Sequence, residues 1–172
     1  MKAEDKKRKE LIDDLRSGNE TKVIAALKRV PSEGSVEMIE PLLELLETNP
    51  SREVGKLLDN VLNNLKNPHS VDGIVKWLKN PAKKALHARL LSAIWHSGLP
   101  VSEHVVVFTQ LAIDGDYMTA VEVMTVLDNT EGFTDEDLSE SIRILDKAIE
   151  TPSDKTELLG NIRQVLLEKL LD

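Results

Sequence analysis

Short polar breaks at a nearly constant interval constrain this chain more than any single motif in it. They are Ser17-Gly18-Asn19, Thr48-Asn49-Pro50, Lys79-Asn80-Pro81, Asp114-Gly115-Asp116 and Glu150-Thr151-Pro152, with centres at 18, 49, 80, 115 and 151. The spacings are therefore 31, 31, 35 and 36 residues. On either side of each break apolar residues recur three and four apart, the spacing that lines one face of an α-helix. A period of about 20–50 residues with one helix pair in each describes hairpins that bury their apolar faces against their neighbours. The expected fold is all-α: a right-handed α-α superhelix (solenoid) of about five helical hairpins in one domain. The hairpins fall at residues 4–30, 35–66, 69–98, 101–130 and 134–171.

Composition agrees. Aromatic residues make up 3% of the 172, so the core has to come from Leu, Ile, Val, Ala and Met. That mixture suits helix-on-helix packing, since strands draw on aromatic and β-branched residues. The stretch Pro68–Pro100 serves as the template hairpin. It predicts a helix over Val71–Lys79, a break at Asn80-Pro81, a second helix over Ala82–Ser97, and closure at Gly98 and Pro100. Both tryptophans (Trp77, Trp95) and three of the four histidines (His69, His87, His96) lie in it. Elsewhere Asn19, Ser102 and Thr134 stand where helix N-caps belong. Pro31–Ser35 reads as a turn. Pro41 either kinks the third helix or marks its start, because it removes a backbone donor.

The segments IEPLLELLETNPSREVGKLLDNVL and GIVKWLKNPAKKALHARLLSAI each show a leucine-rich first helix, a tight polar turn and a second helix. In this the chain resembles the HEAT-like (ARM/HEAT-type) repeat family, and Pro41 matches the kinked first helix common there. The resemblance covers nearly the whole chain and implies that the second helices line a concave, partner-binding face. The outward positions of those helices are then the candidate partner-binding residues. They are Lys56 and Asn60 on one helix, Arg89, Ser92 and His96 on the next, and Met118, Glu122 and Thr125 on a third.

No catalytic set is legible. The sequence has no G-x-S-x-G, no H-E-x-x-H and no glycine-rich phosphate loop. With no cysteine, thiolate ligands and nucleophiles are excluded. His87, His96 and His104 lack the i, i+4 spacing of a helical metal pair, so no metal or cofactor is expected. Placing Gly132 sixth in a calcium loop would put Leu127 first, where a carboxylate is needed. Asp135, Glu136 and Asp137 instead suit the positive end of a helix.

Charge separates along the chain. Residues 69–99 carry five Lys/Arg against one Asp/Glu, whereas residues 100–172 carry five against sixteen. The basic group of Lys76, Lys79, Lys83, Lys84 and Arg89 raises a nucleic-acid reading, a relative of HEAT-like DNA glycosylases, but the acidic half argues against phosphate binding. The leading expectation is a non-catalytic module that binds another protein with a basic or mixed surface. A further alternative is a structural subunit that self-associates through the C-terminal helix, whose Leu166, Leu167, Leu170 and Leu171 form a wide apolar face. The charged N-terminus reads as no signal peptide, and no apolar run approaches the ~20 residues of a membrane span. A cytoplasmic protein is expected.

Overall fold

The structure is a computed structural model and describes residues 3–33 and 35–171. Among these there are ten α-helices and no strand. They are α1 (Ala3–Leu15), α2 (Glu20–Glu33), α3 (Ile39–Glu47), α4 (Arg52–Asn63), α5 (Ser70–Leu78), α6 (His87–Ser97), α7 (Val105–Asp114), α8 (Tyr117–Asp128), α9 (Asp135–Ile149) and α10 (Thr156–Leu171). None is long and apolar enough to cross a membrane.

The chain gathers into two compact units. One holds the chain up to Ile74 together with His96–Leu99, and the other holds Val75–Trp95 together with residues from Pro100 onward. In the first unit α1 packs on α2 and α3 on α4, while α1 also meets α3 and α2 meets α4. First helix thus lies against first and second against second. The second unit repeats the scheme: α7 pairs with α8 and α9 with α10, and α7 meets α9 as α8 meets α10.

The reason lies in the stripes. Val23, Ala26, Leu27 and Val30 are buried on α2, and Val54, Leu58, Val61 and Leu62 on α4. Positions three and four apart share one helical face, so each helix has an apolar side that water leaves only when a neighbour covers it. In the second unit Phe108 on α7, Val123 on α8, Leu145 on α9, and Ile162 and Leu166 on α10 take the same part. On α10, Leu166 is buried and Leu167 and Leu170 are half-buried. Much of the face that suggested self-association is therefore covered within its own unit, and Leu171 projects from it.

Four of the five breaks fall into two kinds of turn. Gly18 and Asn49, 31 residues apart, both take positive φ, 66° and 51°. These are residue types that enter the left-handed region at little cost. Asn80 and Gly115 instead have negative φ and extended ψ. The sequence period therefore marks where the chain turns without specifying how.

Caps are largely where the sequence places them. Asn19 accepts from the Lys22 amide at 3.1 Å and Thr134 from the Asp137 amide at 3.1 Å. Asp135, Glu136 and Asp137 fill the first turn of α9. Pro41 lies in the first turn of α3, preceded by a 3-10 turn over Val36–Met38.

Three local expectations change. Helix α2 continues through Pro31 to Glu33 rather than turning there. A proline this near the C-terminal end costs one donor while little helix remains beyond it. Ser102 does not cap a helix: Ser102–His104 is a 3-10 turn, and α7 starts behind it without a side-chain cap. The second helix of the template hairpin starts at His87 rather than Ala82, because Pro81–Leu86 is 3-10. Asn80 accepts from the Ala82 amide at 3.0 Å, Pro81 starts the turn, and none of the six residues is buried. Without a buried side chain, no core contact holds those residues in α-register.

Candidate functional site

Two features of the second unit stand out: a face shared by α6 and α8, and a cleft beside His87.

On α6 the buried stripe is His87, Leu90, Leu91, Ala93 and Ile94. Trp95 follows Leu91 by four residues, an offset of roughly 40° around the helix, which carries the indole to the edge of that stripe. It is 36% exposed, and its Nε1–H donates to Glu122 Oε2 on α8 at 3.0 Å. The indole's one polar atom is thereby held, which restrains the ring at a partly exposed position. Met118, one turn earlier on α8, is 55% exposed, and Tyr117 beside it is also exposed.

The candidate residues are distributed as follows. Lys56 and Asn60 are exposed on α4, and His96 is exposed at the end of α6; all three belong to the first unit. The Asn60 backbone and side-chain oxygens both accept from Asn64. Arg89, Ser92, Met118, Glu122 and Thr125 belong to the second unit. Arg89, Ser92 and Thr125 are half-buried, and the Thr125 hydroxyl donates to the Val121 carbonyl at 3.1 Å. Glu122 is the member with a defined cross-helix role. Trp95 and Tyr117 were absent from the sequence-based set. From spacing, Trp77 and Trp95 each read as core or core-edge residues, with a partly exposed interface anchor as the alternative for one of them; the carboxylate opposite Trp95 makes it a fixed surface group.

Trp77 is different. It is 5% exposed, with the Lys83 ammonium 4.4 Å from its ring centroid. Lys84 donates to the Asp114 carbonyl at 3.2 Å. Two lysines of the basic group are thus engaged within the chain, on an aromatic face and on a helix C-terminus, where cations are favourable.

The cleft has a volume of about 500 Å³. Leu78, Pro81, Val106, Val107, Leu111 and Ile144 supply its apolar lining, and Lys79, Lys84, Gln110, Asp114, Glu140 and His87 the polar lining. His87, the first residue of α6, is 2% exposed, and neither ring nitrogen has a hydrogen-bond partner among the described residues. Its pKa is lowered, first by loss of hydration and further by the nearby Lys84 charge. The carbonyls of Asn80 and Trp77 and the Asp116 carboxylate oppose that shift without reversing it. The ring is therefore held neutral. Among the described residues no group of three or more His, Asp or Glu side chains is placed to hold a metal ion.

The shift has a consequence for stability. A histidine whose folded pKa lies below its unfolded value of about 6.5 binds fewer protons folded than unfolded. Its contribution is complete above about pH 6.5 and is lost as pH falls toward the folded pKa. The urea midpoint should accordingly drop between pH 7.5 and 5, and His87→Phe should flatten that segment of the profile. A parallel profile in the variant would show that the buried ring is not the source.

No protein-family model, curated protein or solved structure matches this chain.

Proposed function

We propose that the chain is a non-catalytic protein-interaction module, built as a right-handed solenoid of five HEAT-like hairpins. The stacking of first helix on first and second on second in each unit supports the repeat reading. The binding face is taken to be the outward side of the second helices, centred on α6 and α8. One observation carries the proposal: an exposed tryptophan, held by a carboxylate from the next second helix, with exposed Met118 one turn before that carboxylate. Tryptophan is enriched at binding hot spots because it presents a large, rigid surface with little rotamer entropy left to lose. Glu122 and the acidic second half favour a partner with basic or mixed charge.

The test is a crosslinking pull-down with the intact chain as bait. A partner recovered by the wild type should be lost, by at least about tenfold, with Trp95→Ala or Glu122→Lys. Circular dichroism would confirm that both variants remain helical. Recovery of the same partner by both variants, or of none by the wild type, would rule out this face as the binding surface.

A further inference from the structure

The cleft beside His87 combines four properties. Its volume, about 500 Å³, is within the roughly 300–1,000 Å³ typical of small-molecule sites. Half of its lining residues are apolar, Pro81 and five branched aliphatic side chains, drawn from the end of α5, the 3-10 turn, α7 and α9. The charges around it are matched, Lys79 and Lys84 against Asp114 and Glu140. It also includes a histidine cut off from water with both nitrogens unsatisfied.

The last point decides the chemistry. A neutral imidazole has one donor and one acceptor, and burying both without partners is costly in the folded chain. The Asn80 and Trp77 carbonyls are near the ring but complete no hydrogen bond to it. The open volume that His87 lines is where a partner could come from.

We propose that this cleft is a binding site for an uncharged small molecule with an apolar body and one hydroxyl or amide head, the head hydrogen-bonding to His87. A charged ligand is disfavoured because the imidazole is neutral, Lys84 already serves the Asp114 carbonyl, and the lysines that line the cleft are offset by Asp114 and Glu140. The aliphatic lining accepts the body; both ring nitrogens are shielded in the free protein, so binding requires the ring to turn and present one of them to the groove. The site is separate from the α6–α8 face and does not depend on the protein-binding reading.

Benzyl alcohol is a suitable probe, with toluene as its headless analogue. Titration into the full chain, followed by carbon and nitrogen NMR, should give saturable shifts at the Val106, Val107, Leu111 and Ile144 methyls and at the His87 ring nitrogens. Benzyl alcohol should bind about fivefold tighter than toluene, the worth of one net hydrogen bond. Val107→Trp, at a half-exposed position that tolerates a larger side chain, should fill the cleft and weaken both probes by at least about tenfold. His87→Phe should abolish the preference for the alcohol. Where that variant does not fold, the nitrogen shifts of the wild-type ring report the same contact. The proposal is overturned by shifts that stay linear to the solubility limit, by undiminished binding to a folded Val107→Trp chain, or by ring nitrogens that do not respond.

Discussion

Replacing Lys155 with methionine should destabilise the protein by about 2–3 kcal/mol, read as a lower urea midpoint with an unchanged denaturant slope. The Lys155 ammonium donates to three carbonyls at the end of α7: Ala112 at 2.9 Å, Ile113 at 2.6 Å and Gly115 at 2.6 Å. A helix leaves its last four carbonyls without partners, and its negative end favours a cation. Here the remaining two are also accounted for. The Gly115 amide donates to Leu111, and Lys84 donates to Asp114. The C-terminus of α7, which carries an unfavourable aspartate, is thus completed by two lysines from distant parts of the chain. Methionine keeps most of the length of the aliphatic stem, so the loss measures the ammonium. A loss below about 0.5 kcal/mol, the range of an ordinary exposed charge, would mean that water replaces it fully.

Gly115→Ala should cost about 2 kcal/mol at the same turn. A Cβ there would lie 2.6 Å from the Leu111 carbonyl oxygen and 2.7 Å from Thr119 Cγ2. Thr119 is buried and its amide is fixed by Asp116 at 2.7 Å, so neither neighbour has room to retreat. The conflict is one of space rather than of dihedral angle, since φ is −78°. Gly160 in the middle of α10 is the matched control. A Cβ there meets nothing within 4 Å, and Gly160→Ala should gain about 0.5–1 kcal/mol from helix propensity. The Lys155→Met/Gly115→Ala double variant should lose less than the sum of the singles, because both release the turn between α7 and α8. Full additivity would show that the two act on different structure.

These expectations mark what could be read from the chain and what could not. Asn19 and Thr134 cap helices as their positions suggest, and the acidic triplet 135–137 fills a first turn. Such features are local, because a cap is satisfied within three residues of itself. The 3-10 course of Pro81–Leu86 was not legible, since Ala82, Leu86 and their neighbours have the composition of a helix. What is missing there is burial, which depends on the rest of the chain. The candidate surface was half legible. Glu122 and Met118 followed from helical spacing, whereas the role of Trp95 depended on a carboxylate 27 residues away.

By itself the sequence determined the all-helical character, the places where the chain turns, most caps, and the stripes that each helix buries. All of these follow from periodicity and side-chain chemistry within a few residues. Tertiary structure alone decided that Lys83 and Lys84 serve an aromatic ring and a helix end, that Lys155 closes α7 from about 40 residues away, and that His87 is neutral beside an open cleft. Each of these depends on which groups lose water together. Desolvation is a property of the packed assembly of helices, and no spacing along the chain encodes it.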